Sequence, residues 1–196
     1  MLAQLPTLKL RLSLLPTDTT YDVLLTAAIS AVSARFDRET NRTLARTENT
    51  THEFNPGDTE ILVPCYPIES VAKFELKTSE SAGWLEQPDV EFLIRHSCII
   101  SLPSGLCSLS SVLSVARVTY TGGYVLPGST LPAPSSPLPP DLESAAVEQT
   151  AHWFQTRDYL GLKTHWPSGA TYQQFTGLPL LPAVSTTLKH YERWQL

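Results

Sequence analysis

The sequence is poor in the residue groupings that most catalysts and nucleic-acid binders need. Its 196 residues include three cysteines, one methionine and nine glycines, and 17% of them are charged. Cys65, Cys98 and Cys107 are odd in number, form no C-x-x-C pair and sit beside apolar neighbours. They read as buried small hydrophobes of a reducing compartment, not as a disulfide framework or redox centre. There is no run of basic residues and the net charge is -5, which removes the clustered positive footprint on which phosphate-backbone binding rests. Long hydrophobic runs are missing too. Cys98 to Ala116 is uncharged, but Pro103, Gly105 and six serines fall inside it, a composition too costly in hydrocarbon and better read as two buried strands and their connection. Met1 to Pro16 is broken by Pro6, Lys9 and Arg11 and carries no secretory-leader pattern. The triplets Asn41-Arg42-Thr43 and Asn49-Thr50-Thr51 are therefore not expected to be glycosylated.

Catalytic templates are absent in the same way. His52, His96, His152, His165 and His190 are far apart, none at the helical spacing of a metal pair, and His52-Glu53 lacks the second histidine of H-E-x-x-H. Ser104 stands in Pro103-Ser104-Gly105 rather than in G-x-S-x-G, and no cysteine has a recognisable basic partner. Gly122-Gly123 has no lysine or further glycine for a phosphate loop and reads as a strand-ending turn. Asp89 and Glu91 read as loop acids rather than a glycosidase pair. No catalytic, cofactor or metal site is expected.

What is present is 42% apolar residues in periodic arrangement, enough for a packed core in one large domain or two small ones. Tyr21, Leu24, Leu25, Ala28, Ile29, Val32 and Phe36 fall at three-and-four spacing and predict a helix, with Thr19 and Asp22 in capping-box positions. From about Leu44 the period becomes alternating. Asn55-Pro56-Gly57-Asp58 suits a type II turn, so Thr47 to Phe54 and Glu60 to Val63 are expected to form a hairpin. Ser70 to Thr78, the pair Glu91 to Ile94 with Cys98 to Leu102, and Val112 to Tyr120 complete five or six strands. Tyr124 to Pro140 is uncharged, holds six prolines from Pro127 onward and is expected to lie extended outside any sheet. Its Pro134-Ser135-Ser136-Pro137 has no basic flank and reads as linker, not SH3 ligand. Pro140-Asp141 opens a second helix, with Leu142, Ala145, Ala146, Gln149, Trp153 and Phe154 near one face and Gly161 as its end. A final helix is expected over Ala183 to Trp194.

The order of these features resembles the head-to-tail connector (adaptor) family of tailed bacteriophages. Ala34-Arg35-Phe36-Asp37-Arg38-Glu39-Thr40-Asn41-Arg42 is similar to the family's helix running into a threonine-glycine-arginine turn, with Asn41 at the glycine. Tyr66-Pro67-Ile68-Glu69-Ser70-Val71 resembles its Arg-Tyr-Pro-Ile-x-Ser-Val segment, with Cys65 at the arginine. Val118 to Tyr124 resembles its Val-x-Tyr-x-Ala-Gly-Tyr strand end, Pro139 to Phe154 its second helix, and Pro182 to Trp194 its Leu-x-x-Tyr-x-x-Trp tail. The likeness spans Thr17 to Trp194.

The resemblance implies an α+β subunit: two packed helices, an inserted antiparallel β module and a short C-terminal helix. The corresponding segments are 1–43 (N-terminal segment and first helix), 44–124 (β module), 125–140 (proline-rich linker or arm) and 141–196 (second helix and tail). It further implies a non-enzymatic homo-oligomeric ring, usually of twelve copies, between the portal protein and the tail or stopper proteins of a virion. DNA would pass through its channel without specific binding, no membrane would be involved, and synthesis would be in the bacterial host cytoplasm. Leu188, Tyr191, Arg193 and Trp194, with Trp166, Tyr172 and Phe175, are the candidate partner contacts, because aromatics and arginine dominate interface hot spots; they could equally close the subunit's own core. On that first reading, removing Ala183 to Leu196 leaves a folded monomer that no longer assembles. The alternatives are a stopper or tail terminator, or a β-rich carbohydrate-binding or hydrolytic module, which would need a concave aromatic surface with paired carboxylates.

Overall fold

The computed structural model of the protein describes residues 1–103, 106, 114–129, 135–157 and 179–193. They form two compact units: Met1–Thr40 with Leu138–Glu192, and Asn41–Pro137 with Arg193. The class is α+β, as the resemblance implies.

The first unit is helical. A seven-residue helix, α1 (Leu5–Arg11), has Pro6 in its first turn, where its missing N–H costs no helical bond, and basic Lys9 and Arg11 in its last, at the negative end of the helix dipole. The long helix α2 (Asp22–Glu39) buries Leu25, Ile29, Val32 and Phe36, every third or fourth residue of its predicted stripe, whereas Leu24, expected in that stripe, is 49% exposed and faces away from the core. Helix α3 (Pro140–Gln155) packs against α1, α2 and α4 (Pro182–Lys189), and buries Leu142, Ala145, Ala146, Val147, Gln149, Thr150 and Ala151. Gln149 is fully buried, and its side-chain oxygen accepts the Leu181 N–H at 2.8 Å, so a polar core residue anchors the chain entering α4.

Three helical expectations change. The Thr19–Asp22 capping box is not made: α2 starts at Asp22 without a side-chain cap, because the Asp22 carboxylate turns to Lys9 Nζ at 2.6 Å. The second helix ends at Gln155, and Gly161 lies outside the described residues. The final helix stops at Lys189 rather than Trp194.

The second unit is built from two sheets. The larger has the order β1 (Thr47–Phe54), β7 (Val115–Gly122), β3 (Ile68–Lys77), β4 (Leu85–Gln87), all antiparallel. The smaller has the order β2 (Glu60–Leu62), β6 (Ile99–Ser101), β5 (Leu93–Arg95). Ile61, Ile100 and Leu102 join Phe74, Val118 and Tyr120 from the larger sheet in one core.

The expected β1–β2 hairpin is not formed. Asp58 N–H does close a turn on the Asn55 carbonyl at 2.9 Å, but Gly57 is not at positive φ as a type II turn needs. β1 then pairs with β7 and β2 with β6. The type II geometry occurs instead at Leu126 to Ser129, where Gly128 has φ 85°. β5 and β6 are joined by three residues, His96 to Cys98, with His96 and Ser97 both at positive φ, 49° and 58°, and the Cys98 N–H donating to the Arg95 carbonyl at 3.1 Å. The proline-rich stretch is not wholly outside a ladder: β8 (Tyr124–Val125) pairs in parallel with β9 (Ser136–Pro137). With these short strands the described residues hold nine strands rather than five or six.

Candidate functional site

Three of the segments that carry the family resemblance meet in the second unit at one buried arginine. Arg42 is 4% exposed, and its guanidinium lies 3.3 Å from the centroid of the Tyr66 ring and 5.3 Å from that of Tyr124. It also donates a hydrogen bond to the Tyr66 carbonyl. Two aromatic faces and a carbonyl replace the water such a cation loses on burial. The preceding Asn41 has φ 51°, a left-handed conformation that asparagine tolerates far better than most residues. That accounts for asparagine at a position where the family pattern has glycine.

The other two segments close round this point. Gly123 N–H donates to the Pro67 carbonyl and Tyr124 N–H to the Leu44 carbonyl, at 2.9 and 2.8 Å. A Cβ on Gly122 would stand 2.5 Å from the Cys65 carbonyl oxygen, and one on Gly123 2.6 Å from that of Ala45. Only glycine permits backbones this close. Cys65 is buried, and its Sγ lies 3.1 Å from the Gly122 carbonyl oxygen. Its N–H donates to the Tyr120 hydroxyl at 3.1 Å, a hydroxyl whose pKa burial drives upward. The Cys98 thiol is likewise pushed up by burial, with Arg42 pulling the other way. The resemblance motifs are thus a structural hub.

Three grooves among the described residues bear on function. One in the second unit, of about 520 Å³, is lined by His52, Phe54, Asp58, Glu60, Ile61 and Arg193 among others. Burial and then the Arg193 charge lower the His52 pKa, and Glu53 partly offsets them. A second, of about 620 Å³, runs beside edge strand β5, where Leu93 and Ile94 are 66% and 40% exposed. The third, of about 560 Å³, lies in the helical unit between α1 and the first turns of α3. Among the described residues no group of three histidine, cysteine or acidic side chains could hold a metal, and no helix is long and apolar enough to cross a membrane.

The candidate contact residues fall in different places. Leu188 is 3% exposed and packs with Val184 in the helical unit's own core. The Tyr191 hydroxyl lies 2.8 Å from both carboxylate oxygens of Asp141. Arg193 belongs to the second unit and donates to the Leu62 carbonyl at 2.6 Å. Trp166, Tyr172, Phe175 and Trp194 lie outside the described residues. Because Val184 and Leu188 are core, removing Ala183 to Leu196 would unfold part of the helical unit, and cannot separate assembly from folding. The residues that sequence reasoning passed over are Leu10, Leu15 and Val23, which are 81%, 70% and 86% exposed. Val23 lies just outside the predicted buried stripe of α2, which is the signal that would have found it.

No family model matches the chain, and no curated protein matches it. Solved structures do. A chain from the neck of an empty gene transfer agent particle, computed with C6 symmetry, has a TM-score of 0.61 at 13% identity, covering 100% of this chain and 91% of that one. A chain from the virion of a native gene transfer agent particle has a TM-score of 0.57 at 15% identity, with the same coverage. The fold is therefore shared, over its whole length, with chains of a phage-like particle, including its neck.

Proposed function

We propose that this protein is a structural subunit of the neck of a phage-like particle, an adaptor that forms a ring between the portal and the tail or stopper proteins. The observation that carries this reading is the full-length fold match to a neck chain, supported by the sequence motifs that converge on Arg42. A closed ring needs two different complementary surfaces on each subunit, and the helical unit and the β5 edge both leave apolar groups in solvent. Twelve copies are compatible with the sixfold symmetry of the matching neck, since a twelvefold ring contains a sixfold axis. The subunit acts as a gasket without catalysis. Its net charge of -5 lets DNA pass without the phosphate contacts that would slow it.

Particles made without the protein test this. The expected product is DNA-filled heads without tails, made tail-competent by adding the purified chain; fully tailed particles would overturn the reading.

A further inference from the structure

Helix α2 is apolar on both sides. Its inner stripe is covered, yet Val23, Leu24, Ala27, Ser30, Ala31 and Ala34 are exposed on the other side, and no charge occurs from Val23 to Ala34. A helix of this kind normally has both faces covered. The exposed side ends in Arg38, whose guanidinium has no partner among the described residues. The groove between α1 and α3 has a partly matching character: Leu10, Pro140 and Val147 line it together with Glu143, Ser144 and Glu148. Arg11 already holds Glu148 through bonds of 2.8 and 3.0 Å, whereas Glu143 has no partner among the described residues. Among the described residues, therefore, an uncharged ridge ends in a cation without a partner, and a partly apolar groove carries an anion without one.

We propose that the α2 ridge of one copy seats in the α1–α3 groove of the next, with Arg38 of one facing Glu143 of the other. This rests on the ring reading above and names its subunit contact. The occupant is a second copy because both surfaces present apolar groups to solvent and the charges beside them, Arg38 and Glu143, are opposite in sign. The contact is head to tail rather than ridge on ridge. At the far end of the ridge Asp22 is held by Lys9 and the Asp18 side chain accepts the Thr20 N–H, so a facing ridge offers Arg38 only carboxylates that are already engaged. Repeating one such contact generates a ring when its rotation closes.

The test uses particles carrying Ala31→Cys together with Ser144→Cys, oxidised and run without reductant. Necks that yield a ladder of cross-linked multimers ending in a ring-sized band support the contact. Arg38→Glu should cut the cross-linked fraction at least about fivefold, and adding Glu143→Arg should restore it, since reversing one rim charge repels and reversing both attracts again. A protein present in the neck but uncross-linked overturns the contact and leaves the ring reading standing, as does cross-linking of Ala31→Cys alone into dimers. A protein absent from the neck overturns both.

Discussion

Arg42 and Tyr66 form the tightest cation–aromatic contact among the described residues, with the guanidinium 3.3 Å from the ring centroid and a further hydrogen bond to the Tyr66 carbonyl. Twenty-four residues apart in sequence, they join the start of the second unit to the Tyr66-Pro67 segment that opens β3. Arg42→Ala removes the stack and leaves a carbonyl without its donor, and is expected to cost about 2–4 kcal/mol. Arg42→Lys keeps the charge but not the planar fork and should fall between wild type and alanine. Urea unfolding followed by circular dichroism separates the three.

Lys9 plays the corresponding part in the helical unit. It is 6% exposed and its ammonium meets the Asp22 carboxylate at 2.6 Å, the Asp18 carbonyl at 2.7 Å and the Pro16 carbonyl at 3.3 Å. Two hydrogen-bonded carbonyls and one ion-paired carboxylate surround its charge. Lys9→Met should destabilise by about 3 kcal/mol, because it strands a half-buried carboxylate. Asp22→Asn, which keeps an acceptor, should cost less. Thermal unfolding of the two variants gives the order.

Gly123 sits at φ 100° with the Ala45 carbonyl and Arg46 Cα against it. Gly123→Ala combines a backbone penalty with a clash against main chain, and about 2–4 kcal/mol of lost stability is expected. Gly57→Ala, with open space around the added methyl, is the control and should lie within about 0.5 kcal/mol of wild type.

Glu75 supplies the pH dependence. Burial by itself would raise its pKa, but hydrogen bonds from Lys73 and Arg117 outweigh burial and hold it below the ordinary 4.5. A carboxylate depressed in the folded state stabilises fully above its unfolded pKa, and that contribution fades as pH falls through the folded value. The stability difference between wild type and Glu75→Gln should therefore be constant at neutral pH and shrink below pH 4.5. Denaturant midpoints measured from pH 7 to pH 3 give the profile.

The main elements of the fold were legible where local chemistry is rigid. The α2 stripe, α3 opening on Pro140-Asp141, and the Tyr66-Pro67 and Gly122-Gly123 segments depend on periodicity or on residues with few conformations. Pairing partners were not legible. The Asn55–Asp58 turn forms, but a turn does not choose the strands that flank it, and β2 finds its partner almost forty residues downstream at β6. The imperfect alternation of β3 has its cause in register shifts between Ile68 and Ser70 and between Val71 and Lys73. Helix α1 was missed because seven residues hold too little period to recognise. For the site, the hot-spot argument selected Leu188, which serves its own core, while the exposed side of α2 carries no charge from Val23 to Ala34 to draw notice.

Purified protein mixed with the portal of its own particle and imaged by electron microscopy tests the central claim most directly. The account predicts a second ring stacked on the portal, of sixfold-compatible symmetry, into which the helical unit and the β unit both fit. A portal that remains bare at saturating protein, or one decorated by scattered unringed copies, would contradict it.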